Sequence, residues 1–281
     1  MRALAGHPAA RGLDDDCAVL EIGGETLVLT HDMMVEGIHF LAGQDPADVA
    51  WKLVATNISD LAAKGAKPIG VLLGYQLGEE SGRFVEGLKE ALAHYGAALL
   101  GGDTVGGSGP QALGLTAIGR ATHVPVPSRC GARPGDRVWL TGAVGGAMTG
   151  LEALRSGAGE SAAYRRPQAR LAEGIALAPQ VSAMMDVSDG LLLDAARMAR
   201  ASGVCLSLDT GAVPLACPES RRAEALRWGD DYELLFTMPA GIVPAAPAKC
   251  IGEVLEAPAA QILVDGKLPN SHDNLGFEHY G

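Results

Sequence analysis

The sequence predicts an α/β (α+β) protein of two domains, and three observations predict it. The chain has 281 residues, 38 of them glycine, with 48% hydrophobic and only 4% aromatic residues, which suits two α/β-type units better than one. Helical and strand-like segments are mixed in both halves. Between the halves, ATHVPVPSR (121–129) carries two prolines in three residues, which favours an extended, helix-free connection. The expected division is therefore 1–122 and 123–281.

Residues 14–22, DDDCAVLEI, crowd three carboxylates at the mouth of an alternating apolar stretch. Gly23-Gly24 followed by TLVLT makes 17–31 a hairpin. Folding about the glycines sets Asp15 or Asp16 opposite His31 or Asp32, according to whether the loop has two or three residues. Like charges facing across strands are destabilising, so this mouth either splays into solvent or holds a cation. GQDPADVAWKLVATNISDLAAKGAKP reads as a helix with Asp45 at the N-cap, Pro46 at the first helical position, and Gly65 with Pro68 as its stop. A strand at 69–77 and a helix at about 81–95 follow; AALL then runs into a glycine loop, GGDTVGG, ahead of a strand at 111–119.

Past the linker, GARPGDRVWLTG is a turn and strand, and GGAMTGLEALRSG a glycine-led helix. MMDVSDGLLLDAARMARASG reads as a strand end, Ser188 as N-cap, a helix, and Gly203 as C-cap. GVCLSLDT is a strand, 219–227 a short helix and DYELLFTMP another strand. There is no short-period repeat.

A net charge of −11 with only six lysines argues against nucleic-acid and anionic-membrane partners. The cysteines at 17, 130, 205, 217 and 250 form no CxxC pair, as expected of reduced thiols in the cytosol. No apolar run approaches the roughly 20 residues of a membrane helix, and the opening MRALAGHPAARG is too short in its apolar part for a secretory signal. A cytoplasmic, soluble protein is expected.

Five acidic clusters stand where an apolar element meets glycine, and each alone has an ordinary explanation. DDD is a solvated turn; Asp60 and Lys64 of NISDLAAKG share a helical stripe with Asn57 and make a surface ion pair worth ~0.3–0.5 kcal/mol. Asp103 of GGDT sits in a turn, Asp186 and Asp189 of DVSDG favour a helix start, and GDDYELLF (229–236) is a loop before a buried strand. Their recurrence says more, because loops from different elements can converge. An oxygen-rich ligand set with almost no Cys or His suits Mg²⁺, Mn²⁺ or Ca²⁺ rather than zinc. No EF-hand, GxxxxGK[ST] or kinase-type HRD and DFG set is present. GSGPQA (107–112) imitates a dinucleotide glycine pattern but neither follows a strand nor opens a helix, so it is not read as one. With so few lysines, a polyphosphate binds only if divalent ions supply most of the positive charge.

Together DDCA, THDMMVEGIHF, NISDLAAKGAKP, GGDT, SRCGARPGD, DVSDGL and GDDYELLF resemble, in order and approximate spacing, the bacterial thiamine-monophosphate kinases, from about residue 12 to GFEHY near the C-terminus. That family shares a superfamily with aminoimidazole ribonucleotide synthetase, selenophosphate synthetase and a hydrogenase-maturation protein. The resemblance implies an N-terminal mixed-sheet, half-barrel domain that dimerises through its strands, a C-terminal α/β domain, and an ATP site in a groove between them. It implies transfer of the ATP γ-phosphoryl group to thiamine monophosphate, in a homodimer, with several Mg²⁺ ions and ATP as co-substrate.

Carried over residue by residue, the metal set is Asp16, Thr30, His31, Asp32, Asp60, Asp103, Asp186 and Asp189. Gly102, Asp103, Arg129 and Ser188 match nucleotide-contacting positions, and His39, Asp230 and Phe277 match positions that contact thiamine. Asp60 and Arg129 stand as the catalytic pair: one matches a position bridging several ions, the other is the fixed positive partner for phosphate. The chemistry agrees, because a phosphate acceptor is already anionic and needs no general base; alignment and charge neutralisation carry the reaction.

The chain departs from the family at four places. Asp14 replaces glycine, His31 replaces Ser or Thr, Asp230 replaces Glu, and the N-terminus lacks the usual leading segment, so one edge of the first domain is expected to be less covered. A backbone metal contact makes the His31 change harmless, whereas a side-chain contact makes metal affinity pH-dependent. The rivals are a superfamily enzyme with another acceptor and a non-catalytic nucleotide- and metal-binding dimer. Among the former, the selenophosphate branch needs a reactive Cys near the start, where Cys17 lies within a strand, and the maturation branch needs a C-terminal Cys, where the chain ends GFEHYG.

Overall fold

The hairpin forms as the two glycines dictate. In the computed structural model, which describes residues 2–78, 80–256, 261–270 and 274–278, β1 (Ala18–Ile22) and β2 (Glu25–Val35) pair Ile22 with Glu25 and Ala18 with Leu29. The loop therefore has two residues, Gly23 and Gly24, with φ of 59° and 84°, as a type I′ turn requires. Carried past the strand end, that register brings Asp16 towards His31 and Asp15 towards Asp32.

Helix α1 (Pro46–Ala63) starts where Asp45 accepts the Ala47 N–H at 2.9 Å and stops at Gly65, whose φ is 57°. Pro68 is not part of the stop, because β3 (Ala66–Gln76) begins three residues earlier than expected. The β3 register shifts between Pro68 and Gly70, an irregularity of the kind where a missing N–H is tolerated. After α2 (Ser81–Tyr95) comes a second correction: GGD is no loop but the middle of β4 (Ala98–Val105), which pairs parallel to β3 with Asp103 beside Gly74. Glycine is needed at 102 because a Cβ would lie 2.0 Å from the Leu73 carbonyl oxygen. With β5 (Ala112–Ala121) the first sheet has the order β1-β2-β5-β3-β4, an open half-barrel.

Helices α1 and α2 pack together, and α1 lies on the sheet. α1 is buried throughout except at Pro46 and Asp60, its polar Asp48, Lys52, Thr56, Asn57 and Ser59 included, so it has cover on every side. Its second cover is the C-terminal half, built from β6 (Asp136–Leu140), α3 (Gly146–Ser156), α4 (Ala162–Arg165), α5 (Leu171–Leu177), β7 (Ala183–Asp186), α6 (Leu191–Ser202), β8 (Cys205–Leu208), α7 (Arg222–Ala225), β9 (Leu234–Pro239), β10 (Lys249–Leu255) and β11 (Gln261–Val264). The second sheet runs β11-β8-β10-β6-β9-β7. The sequence reading had not assigned α4, α5, β10 and β11. Helix α6 also starts later than expected: Gly190, not Ser188, is its N-cap, with φ of 119° and no room for a Cβ against the Arg227 carbonyl. Among the described residues no helix is long and apolar enough to cross a membrane.

Candidate active site

The acidic mouth holds cations, and two of them come from far away in sequence. Lys64 at the end of α1 places Nζ 2.5 Å from Asp15 Oδ1 and 2.5 Å from Asp16 Oδ2. The expected surface pair of Lys64 with Asp60 is thus corrected: Lys64 is fully buried and turned to the hairpin. Arg129 Nε donates to Asp16 Oδ1 at 2.7 Å. Arg11 Nη1 and Ser128 Oγ each donate to Asp15 Oδ2 at 2.6 Å. Burial alone would raise the Asp15 pKa, but the Lys64 charge and these hydrogen bonds hold it well below the usual carboxylate range. Burial likewise opposes the Lys64 charge, and Asp16 and Asp15 outweigh it, raising its pKa above that of an ordinary lysine.

Beyond this network, Asp16, Asp60 and Asp186 bring carboxylate oxygens within 4.8 Å of one another. They come from the hairpin mouth, from α1 and from the end of β7 in the other half. Burial and then the charges of Asp32, Asp186 and Asp16 raise the Asp60 pKa well above its ordinary value, while a Thr30 Oγ1 hydrogen bond opposes the rise. Burial, with the Asp16 charge, pushes Asp186 up to about 8, although Ser59 Oγ donates to it at 2.7 Å. Negative charge is therefore in excess here despite two neighbouring cations. A hard divalent cation fits such an all-oxygen set.

These groups line one cavity of about 970 Å³ between the two halves. Asp32, Arg129, Ser188, Asp189, His39, Asp230 and Phe277 line it too. Asp194 in α6 shapes one wall: its Oδ2 accepts the Ser188 and Asp189 N–H groups at 3.1 and 3.0 Å, and its Oδ1 meets Arg197 at 2.7 Å. Phe277 is tied to that wall through its N–H, 2.8 Å from the Asp189 carbonyl. Residues 279 and 280, the end of the GFEHY match, lie outside the described residues.

Next to the Ser188 loop, whose carbonyl accepts the Asp230 N–H at 2.9 Å, Lys52, 1% exposed, donates to Asp230 Oδ2 at 2.7 Å and to the His39 carbonyl at 3.0 Å, with Nζ 3.9 Å from the centre of the Tyr164 ring. Tyr232 Oη donates to Asp230 Oδ1 at 2.8 Å.

Four carried-over residues stand apart from the cavity lining. Thr30 is buried behind Asp60. His31 is exposed, and its Nδ1 meets Thr116 Oγ1 at 2.9 Å across β5. Successive strand residues face opposite sides, so with Thr30 turned in to Asp60 on α1, His31 turns out. Gly102 and Asp103 lie on β4, three strand positions from β2, roughly 14 Å at the usual strand spacing.

Comparison with known proteins adds the family. Residues 14–121 match the family model described as AIR synthase related protein, N-terminal domain, and residues 133–263 the corresponding C-terminal domain. The thiamine-monophosphate kinase of Salmonella typhimurium is 35% identical over 302 residues, covering 96% of this chain and 91% of that protein. The chain belongs to the thiamine-monophosphate kinase family. A member from Caulobacter vibrioides is 39% identical, over 82% of this chain and 72% of its own length. Among solved structures, AaThiL complexed with AMPPCP and TMP superposes with a TM-score of 0.86 at 31% identity, covering 95% of this chain and 91% of that one.

Within this kinase family framework, Lys52, Lys64 and Asp194 are the residues that sequence reasoning missed. Lys64 was visible only as a neighbour of Asp60 on its helix. Asp194 follows DVSDG at helical spacing and carried no separate signal. A lysine set between the apolar Trp51 and Leu53 is the cue that could have found Lys52.

Proposed function

We propose that the protein transfers the γ-phosphoryl group of ATP to the phosphate of thiamine monophosphate, giving thiamine diphosphate. The observation that carries this reading is the gathering of Asp16, Asp60 and Asp186 in one buried cluster, in a cavity also lined by His39, Asp230 and Phe277. Mg²⁺ held by those carboxylates, with Asp32 and Asp189 at the margin, would neutralise charge on the two phosphates as they approach. Arg129 adds a fixed positive charge on the same side, and the Ser188 loop, pinned by Asp194, forms a rigid wall for the nucleotide. Lys52 and Tyr232 hold Asp230 in place for the thiamine end. With no proton to remove from the acceptor, these side chains serve to align the two substrates and exclude water.

The homodimer belongs to the same proposal. Every residue of β4 is exposed, including Leu99, Leu100 and Val105, as are Leu72 on the adjacent β3 and Met33 on β2 of the same sheet. A long apolar sheet edge is a template for pairing with another chain. An interface there would cover Gly102 and Asp103 and give them access to the partner's nucleotide. We place the enzyme in the cytoplasm, consistent with five free cysteines.

Purified protein incubated with ATP, Mg²⁺ and thiamine monophosphate should form thiamine diphosphate, followed by chromatography. Nucleotide binding without product would favour a non-catalytic protein, and turnover with another acceptor only would favour a neighbouring activity. Sedimentation equilibrium should give twice the mass of one 28.8 kDa chain; a monomer at micromolar concentration would remove the dimer.

A further inference from the structure

We infer that Lys64 is a built-in cation of the acidic centre: its ammonium fills one of the cation positions around Asp16, so the centre takes one divalent ion fewer than its carboxylates alone would hold. The inference rests on the metal-binding reading above and concerns this chain's own contribution to it. Nζ lies 2.5 Å from both Asp15 Oδ1 and Asp16 Oδ2 and donates to the Met184 carbonyl at 3.2 Å, so the ammonium charge sits between the two carboxylates. The side chain is fully buried, so the charge cannot exchange with solvent ions. Asp16 Oδ1 meanwhile faces Arg129 Nε at 2.7 Å. Each oxygen of Asp16 thus already faces an organic cation, Oδ1 through the Arg129 hydrogen bond and Oδ2, which accepts no hydrogen bond among the described residues, through the Lys64 charge alone, and an ion seated on Oδ2 would displace the ammonium or meet it as a like charge.

The placement follows from the chain. Lys64 lies one helical turn beyond Asp60 on α1, and Met184 lies two residues before Asp186 on β7. The same two elements that deliver Asp60 and Asp186 therefore deliver the ammonium and its carbonyl partner. A lysine differs from a metal ion in function: it is permanent, singly charged, and brings neither exchangeable water nor a coordination site for phosphate oxygen. Asp15 and Asp16 are held in place before any ion arrives.

The test compares wild type with Lys64→Met, which keeps an unbranched chain and removes the charge, after both are stripped with chelator. Mn²⁺ alone is titrated and free ion counted by electron paramagnetic resonance, and melting is followed with and without Mg²⁺. The variant should bind one more Mn²⁺ per chain. It should melt below wild type without divalent ions and regain most of the loss with Mg²⁺ alone, because an ion then enters beside Asp15 and Asp16. Equal Mn²⁺ counts with a loss that Mg²⁺ does not restore would overturn the role of Lys64 alone. Failure of both proteins to bind Mn²⁺ would overturn the metal reading with it. If the variant does not fold, wild-type crystals soaked in Mn²⁺ decide the matter by anomalous scattering. Ion peaks at Asp60 and Asp186 with Nζ still against Asp16 Oδ2 are expected; a peak on Asp16 Oδ2 with Lys64 swung away would sink the inference.

Discussion

At the scale of single residues, Asp60 and Lys52 do opposite things with burial. Asp60 carries an oxygen whose ionised form is disfavoured by its surroundings, so its charge is costly until a cation arrives. Asp60→Asn should therefore lower turnover by at least about 100-fold, yet leave the chelator-treated protein no less stable than wild type and abolish any Mg²⁺-induced rise in melting temperature. Activity near wild type would mean that the carboxylate does not hold the ions. Lys52 instead is a buried cation already matched by Asp230 and by the His39 carbonyl. Lys52→Met removes the only lysine beside Asp230 among the described residues and leaves it the Tyr232 hydroxyl as donor, so the carboxylate is no longer held by charge. We expect KM for thiamine monophosphate to rise by about tenfold or more, a shift of ~1.4 kcal/mol in binding, with a smaller effect on kcat. An unchanged KM would detach this pair from the substrate.

At the scale of elements, the site depends on α1 being gripped from both sides. Gly174 in α5 meets its last turn so closely that a Cβ would lie 2.0 Å from the Ala62 carbonyl oxygen. Gly174→Ala should force α5 away from α1 and destabilise the protein by about 1–3 kcal/mol, read from urea unfolding. Activity should fall further than stability explains, because Asp60 on α1 and Asp186 on β7 would move apart. Full stability in the variant would show that this contact yields without cost. The helix itself was legible in the sequence through Asp45, Pro46 and Gly65. The grip was not, since a short helix such as Leu171–Leu177 has too few turns to display a period.

For the whole molecule, buried carboxyls shape the response to pH, three of them alongside Asp60. Burial is the first cause in each case: it pushes Asp194 up to about 6, Asp231 to about 7 and Asp186 to about 8. Their folded-state pKa values exceed the unfolded ones, so the folded chain binds more protons between about pH 4 and these values. The stability they contribute is present below about pH 4 and is lost as pH rises through about 6 to 8. With chelator present, the melting temperature should fall across that range. Asp231, which caps the start of α3 by accepting the Gly145 and Ala147 N–H groups at 2.7 and 3.1 Å, offers a clean check: Asp231→Asn should flatten the fall. An unaltered pH slope would show that Asp231 does not titrate there.

The sequence by itself determined the two mixed halves, the hairpin with its two-glycine turn, the helix carrying Asp60, and an acidic mouth that either splays into solvent or holds a cation. Those features are local: turn chemistry, caps and charge spacing act over a few residues. It could not say which cation answers Asp15 and Asp16, because Lys64 and Arg129 arrive there only once α1 and the linker have packed. Nor could it place GGD in a strand, since two glycines weaken any local strand signal and pairing with β3 supplies the missing hydrogen bonds. Tertiary structure alone decided that Asp103 and the His31 side chain lie away from the cavity of their own chain. Sheet alternation and strand order, both set by long-range pairing, fix where a side chain points.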